Sequence, residues 1–176
     1  STSASNINNS YDDVWGNSSG NYYNTAAGTG SLSSNPLFVA LGSNHRLTSN
    51  SPARFSDSTG NDLGAFPYTG DATTSLTGTL WTNTTLTNGT VTGDLTVPPG
   101  VTVSVPAGVT LTTATSDLMQ AGDDTSRVEL IVRGTLATSG TTASPALFTS
   151  SGAGAGSWVG VRVETVVRTR YREESA

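Results

Sequence analysis

The chain contains no cysteine and no lysine, and His45 is its single histidine. Without cysteine there can be no disulfide framework, no thiolate nucleophile and no zinc site built on sulfur ligands. Arginine supplies all 8 basic residues, and the formal net charge of −5 argues against a basic surface that binds nucleic acid.

Long hydrophobic runs are also missing. Only 34% of the 176 residues are apolar and 12% are charged, and no segment resembles a signal peptide or a membrane span. The balance is mainly Thr, Ser, Asn and Gly, and because threonine favours strands, the low apolar fraction does not indicate disorder here. This composition is typical of exported bacterial proteins. It predicts an extracellular or cell-surface location, with any export signal outside this chain.

A short sequence unit occurs twice in succession within residues 91–111. Residues 97–103 (VPPGVTV) are repeated, with two changes, as residues 105–111 (VPAGVTL). Proline lacks the N–H that a central strand needs, glycine adopts positive φ, and the flanking Val and Thr suit half-buried strands. The repeat therefore predicts strands joined by tight corners and coiled into a β-solenoid.

The beginning of the chain is rich in turn-forming residues. Asn, Gly and aromatic residues are interleaved through residues 1–35, a pattern that predicts loops with brief strands. Three extended pieces are expected after them, within residues 35–41, 46–48 and 62–68.

The order of motifs in residues 35–66 resembles a known signature. Residues 35–39 (NPLFV), 46–47 (RL), 51–53 (SPA), Asp57 and 62–66 (DLGAF) follow one another as in the closing segment of right-handed parallel β-helix proteins. This pectate-lyase-like family includes bacterial surface proteins and some polysaccharide lyases. Arg54 departs from the family pattern, in which an apolar residue and Asp usually follow Ser-Pro-Ala. The resemblance implies an all-β, right-handed parallel β-helix with irregular loops.

The second half of the chain resembles the opening coils of another such β-helix. Residues 93–111, 129–136 (ELIVRGTL) and 145–150 (PALFTS) are similar to a strand-rich cap, and residues 94–97 (DLTV) are echoed by 129–132 (ELIV). The resemblance implies two units. Residues 1–71 would hold the last coils and closing signature of one β-helix, and residues 72–176 the cap and first coils of a second or continuing one.

Two groups of aspartates are candidate calcium ligands, because Ca²⁺ takes hard oxygen ligands from loops. They are Asp12, Asp13, Asp57, Asp62 and Asp71. Neither group has the spacing of a calcium-binding loop motif, and the alternative is that these side chains cap turns through nearby backbone N–H groups. The segment 116–126 (SDLMQAGDDTS), with its own three aspartates, is predicted to be a solvated loop.

Aromatic rings are candidate carbohydrate contacts, since an aromatic face offers apolar area to a sugar ring. The candidates are Trp15, Tyr22, Tyr23, Trp81 and Trp158. The alternative is that these residues cover the end of a solenoid or plug its core.

Together these patterns favour a non-catalytic structural or adhesive segment of an exported bacterial surface or extracellular protein. Its candidate partners are polysaccharide and other copies of itself, because unpaired strand edges at the two ends predict end-to-end association into filaments. The alternative is part of a polysaccharide lyase or other carbohydrate-active enzyme whose active site lies outside this chain. Arg46 and Arg54 are the bases nearest Asp57 and Asp62, but they fall within the closing signature, so no catalytic residue is predicted.

Overall fold

A computed structural model describes residues 9–23 and 25–165. This part of the chain is all-β, with eleven strands and no helix. The strands are β1 (Phe38–Ala40), β2 (Asn44–Leu47), β3 (Leu76–Thr79), β4 (Thr84–Thr85), β5 (Gly89–Val97), β6 (Thr102–Val105), β7 (Thr110–Thr113), β8 (Glu129–Val132), β9 (Thr135–Thr138), β10 (Leu147–Ser150) and β11 (Gly160–Val163). Within the described ranges, then, no helix is long and apolar enough to cross a bilayer.

From β3 onward the strands occupy three positions in turn, and the pairing at each position is parallel. The first position holds β3, the end of β5, β8 and β11. The second holds β4, β6 and β9, and the third holds the start of β5, β7 and β10. The start and the end of β5 lie at two different positions, so the main sheet curls along this long strand. The result is a curled, mostly parallel sheet of the kind that a solenoid contains.

The corners between strands fall where the repeated unit predicts them. Residues 98–101 turn between β5 and β6, closed by a hydrogen bond from Val101 N to Pro98 O of 3.2 Å. Residues 106–109 turn between β6 and β7, with Val109 N donating to Pro106 O at 3.3 Å. Proline at the start of each turn ends the preceding strand. The prediction of strands separated by Pro-x-Gly corners is confirmed.

Inward-facing side chains stack in columns along the parallel register. Leu95 of β5 pairs with Leu130 of β8, and Val97 pairs with Val132, so the two echoed segments are neighbouring strands. The alternate residues at these positions are buried because each column lies inside the curl. The core comprises Leu80, Leu86, Val91, Leu95, Val97, Val103, Val105, Val109, Leu111, Val128, Leu130 and Val132.

The first part of the chain has a different construction. Strands β1 and β2 form an antiparallel hairpin, which confirms two of the three expected extended pieces. The third expectation, an extended piece within residues 62–68, is wrong, because the chain bends there. The Asp62 carboxylate accepts N–H groups from Phe55 at 3.2 Å and from Tyr68 at 2.8 Å, which closes the segment into a loop. Residues 9–23 and 25–35 contain no strand. Their one β-type pairing is an isolated parallel bridge between Asp13 and Leu32.

A loop from this first part covers the outer edge of β3. Asn50 O accepts the Thr79 N–H at 2.8 Å, and the Asn50 side-chain amide donates to Thr77 O at 3.1 Å. Gly78 permits this approach, since a Cβ there would lie 2.3 Å from Asn50 O. The outer edge of β3 is therefore covered. This differs from the prediction of unpaired strand edges at both ends of the stack. The predicted division into residues 1–71 and 72–176 falls between this loop region and β3 and stays a prediction.

The stacked columns make a specific prediction about stability. Leu95 is fully buried in the column between β3 and β8. We expect Leu95→Ala to lower the free energy of unfolding by about 3 kcal/mol, because it leaves a cavity inside the curled sheet. The exposed Leu41 provides the matched control, and we expect Leu41→Ala to change stability by less than about 0.5 kcal/mol. Urea denaturation measures both, and equal losses would contradict the column arrangement.

Candidate functional site

The first pair of candidate metal ligands lies in the N-terminal loops. Asp12 accepts a hydrogen bond from the Tyr22 hydroxyl at 2.9 Å, and hydrogen bonding from Ser31 lowers the pKa of Asp12. Asp13 Oδ1 accepts the Ser34 N–H at 3.2 Å, and burial raises the pKa of Asp13 to about 6. The two neighbouring carboxylates therefore have separate hydrogen-bond partners.

The second group of candidate ligands is occupied by protein donors. Asp57 accepts the N–H groups of Thr59 and Asn61, both at 2.7 Å. Asp71 accepts two hydrogen bonds from the Arg46 guanidinium, at 3.0 and 3.1 Å. The backbone bonds of Asp57 and Asp62 match the turn-capping alternative, whereas Asp71 is held in an ion pair with Arg46. In residues 9–23 and 25–165 no three Asp, Glu or His side chains are grouped to hold a metal ion. Calcium binding stays a prediction that rests on the sequence.

The structure places two of the tryptophan candidates, Trp15 and Trp81, in different cavities. Trp15 lines a cavity of about 630 Å³ together with Phe38 and Phe66. Trp81 lines a second cavity of about 500 Å³, which lies along the outer side of the parallel sheet. Tyr22 is tied to Asp12, while Tyr23 is exposed. The five aromatic candidates are thus not gathered into one binding surface.

The second cavity, which we call the side groove, is built from a row of stacked residues. Thr79, Thr96, Ile131 and Arg162 are in register on successive strands of the first position, and all four line the groove. Its other walls come from the N-terminal loops and from residues 119–122. The groove therefore runs across four neighbouring strands, between the sheet and the segments that cover it.

Trp81 is held rigidly at the groove wall. Its indole N–H donates to Ser51 O at 2.8 Å, and its ring packs edge-to-face on Phe55 with centroids 5.2 Å apart. The neighbouring Arg54, whose place in the closing signature departs from the family pattern, lies 4.0 Å above the Tyr68 ring. A fixed aromatic wall beside Arg133 and Arg162 gives the groove both apolar and charged surface.

Three buried carboxyl groups lie at the side groove, which Asp94 itself lines, and none of them was predicted from the sequence. Asp94, Asp117 and Glu129 are 2%, 6% and 0% exposed. The prediction of a solvated loop at residues 116–126 is therefore wrong for Asp117. A signal was present for the other two, since the echoed segments each begin with an acid and place Asp94 beside Glu129 on adjacent strands.

Each buried carboxyl accepts backbone N–H groups and so fixes the connection between β7 and β8. Asp117 Oδ1 accepts from Asp94 N and Met119 N, both at 2.9 Å. Asp94 Oδ1 accepts from Glu129 N at 2.6 Å. Glu129 Oε1 accepts from the N–H groups of Asp123 and Asp124, at 3.0 and 2.9 Å. These contacts tie the loop to the sheet and account for the burial of polar groups.

The charge of this cluster is only partly balanced. Arg162 Nε lies 3.0 Å from Glu129 Oε2, and the same guanidinium contacts Asp123 and Glu164. Asp94 Oδ2 has no hydrogen-bond partner. Burial, reinforced by the nearby Asp117 carboxylate, raises the pKa of Asp94 to about 7. Gly122 lets the loop close over the cluster, since a Cβ there would lie 2.7 Å from Asp94 Oδ2.

The buried acids and the side groove are in contact at one residue. Asp117 and Glu129 do not line the groove, whereas Asp94 lines it while its Oδ1 holds the Glu129 N–H. Trp81, Arg133 and Thr96 line the groove and are available for stacking and hydrogen bonding. This geometry suits recognition of a polar, extended ligand more than chemical attack on one.

Comparison of the chain with protein-family models, with curated proteins and with solved structures finds no match. The all-β class and the parallel stacking of strands consequently rest on the structure of this chain itself.

The buried Asp94 makes stability depend on pH. Its folded-state pKa of about 7 exceeds the unfolded value of 3.8, so its stabilising effect is full below pH 3.8 and is lost as the pH rises through 7. Asp94→Asn keeps an oxygen acceptor for Glu129 N–H and removes the charge. We expect it to raise the free energy of unfolding above pH 7 by about 1 to 3 kcal/mol, since one pKa unit corresponds to about 1.4 kcal/mol. Denaturation curves near pH 4 should show little difference.

Asp124→Asn is the control, because its effect on the free energy of unfolding is expected to have the opposite sign. Hydrogen bonds from Ser126, followed by Arg127, lower the pKa of Asp124 to about 2, so its ionised form stabilises the fold above pH 3.8 and that effect is lost as the pH falls. We expect this variant to melt at a lower temperature at pH 7, with a smaller difference toward pH 2. An Asp94→Asn difference that did not grow with pH would contradict the assigned burial of that charge.

Proposed function

We propose that this chain is a non-catalytic structural and adhesive segment of an exported bacterial cell-surface or extracellular protein, folded as a right-handed parallel β-helix. The observation that carries the proposal is the in-register parallel pairing at three successive strand positions. A chain that visits three positions in turn and stacks each strand on the one before gives a rigid rod with regular outer faces. Such rods serve as stalks and as binding platforms.

Elementary topology supports the right-handed form. Each strand returns to its own position through a connection to a parallel neighbour, and such crossovers are overwhelmingly right-handed. The inward columns of Leu and Val supply the continuous core that stacked coils require, while Thr and Ser occupy the alternate outward positions. The family resemblance of residues 35–66 and 93–150 points to the same architecture.

The side groove supports an adhesive role with polysaccharide as the ligand. Its row of Thr79, Thr96 and Arg162 spans several strands, which suits a long, repeating, hydroxyl-rich molecule. The Trp81 ring, held by Ser51 and Phe55, offers an apolar face to a sugar ring. Bound in this way, a polysaccharide would lie across the strands rather than along one of them.

The buried acids support a structural rather than a catalytic interpretation. Asp94, Asp117 and Glu129 bond to backbone N–H groups and tie a loop to the sheet. A general acid or base has to reach the atom whose proton it transfers. The three carboxyl groups are at most 6% exposed, and Asp94 alone among them lines the side groove.

Polysaccharide binding by the groove is testable with tryptophan variants. We expect Trp81→Ala to weaken binding about tenfold or more, equivalent to about 1.4 kcal/mol or more, because it removes the aromatic wall. Trp158→Ala is the matched control, since Trp158 is also half-buried but does not line the side groove. Isothermal titration against a panel of acidic and neutral bacterial polysaccharides measures both variants.

A second variant distinguishes the loss of a binding contact from the loss of folding. Arg133 is exposed and lines the groove, so Arg133→Ala removes a binding contact without opening the core. We expect it to reduce affinity while the unfolding midpoint stays near that of the wild type. Equal affinities for the wild type, Trp81→Ala and Arg133→Ala would overturn the groove as the binding site.

A further inference from the structure

Asp94, the buried acid that lines the side groove, has one carboxyl oxygen in use and one unused. The residue is 2% exposed, and its Oδ1 accepts the Glu129 N–H at 2.6 Å. Within residues 9–23 and 25–165, Asp94 Oδ2 has no hydrogen-bond partner. Because an unsatisfied buried acceptor is unfavourable, this oxygen marks a place in the groove where a donor is missing.

The alternation of side chains along β5 directs this carboxyl group toward the groove. Leu95 and Val97 are fully buried and face the core, so Asp94 and Thr96 lie on the opposite side of the sheet. Both of them line the side groove. Gly122 lines it as well, and a Cβ at this glycine would lie 2.7 Å from Asp94 Oδ2. The covering segment therefore has no side chain where it passes the unused oxygen.

The arginines that line the groove are already paired with other acids. Arg133 Nε lies 2.6 Å from Glu164 Oε2. Arg162 contacts the same carboxylate and also those of Glu129 and Asp123. Two guanidinium groups are thus shared among three carboxylates, before the other two buried acids of the cluster are counted. Among the described residues, this side of the groove therefore carries more negative than positive charge.

A ligand cation is the group that this distribution of charge favours. The carboxylate of an acidic polysaccharide would meet like charge, whereas a protonated amine would meet opposite charge and an unused acceptor. Burial, reinforced by Asp117, raises the pKa of Asp94 to about 7, and a cation at Oδ2 would favour the ionised form. A sugar that carries an amine still presents hydroxyl groups to Thr96 and an apolar ring face to Trp81.

We propose that the side groove selects polysaccharides with free amino groups, and that an ammonium group of the sugar donates a hydrogen bond to Asp94 Oδ2. The inference rests on the proposed binding of polysaccharide and deepens it by naming the class of ligand. It makes Asp94 the residue that determines specificity. Trp81, by contrast, stacks on the sugar ring whether or not the sugar is charged.

Two forms of one oligosaccharide test this proposal on the full chain. Oligomers of glucosamine and of N-acetylglucosamine with equal length and linkage share a backbone, but only the first carries amines that can be protonated. We expect the wild type to bind the glucosamine oligomer about tenfold or more tightly, as one added hydrogen bond between charged groups predicts. Isothermal titration in a slightly acidic buffer, which keeps the amines protonated, measures both affinities.

Substitution of Asp94 should remove the preference without removing the binding. We expect Asp94→Asn to weaken binding of the glucosamine oligomer about tenfold or more, and to change binding of the acetylated oligomer less than about twofold. Asp71→Asn is the matched control, because it makes the same change of net charge at a residue that pairs with Arg46 and does not line the groove. We expect this control to keep the wild-type preference. Urea denaturation checks that both variants fold.

Three outcomes would overturn the inference and leave the adhesive function in place. They are equal affinity of the wild type for the two oligomers, tighter binding of an acidic polysaccharide than of the glucosamine oligomer, and a preference that survives in Asp94→Asn. In each case a loss of affinity in Trp81→Ala still supports the groove as a polysaccharide site. If no polysaccharide of either experiment binds, the adhesive function and this inference are both overturned.

Discussion

The structure depends on the parallel, in-register stacking of strands at three positions. No single strand has enough apolar surface to form a core, so each inward side chain is buried by the strands before and after it. Leu95 is fully buried because β3 and β8 flank it, whereas Val163 is 75% exposed in β11, which within residues 9–23 and 25–165 pairs with β8 alone. Burial here is a property of position in the stack more than of residue type.

The same register also fixes the outer side of the sheet. It sets Asp94 beside Glu129, and the loop between β7 and β8 then covers both of them. Burying carboxyl groups is unfavourable, and the raised pKa of Asp94 reflects this. Backbone N–H donors and the Arg162 guanidinium offset part of the penalty. The gain is a fixed loop, which forms one wall of the side groove.

Local features of the fold could be predicted from the sequence, and long-range ones could not. The Pro-x-Gly corners and the Val and Thr runs dictate turns and strands within a few residues, and the structure has both. The bend at residues 62–68 depends on Asp62 reaching Phe55 and Tyr68, and the cover on β3 depends on Asn50 reaching Thr77. Such contacts leave no periodic trace. Asp117 was misjudged for the same reason, since its polar neighbours are typical of a surface loop.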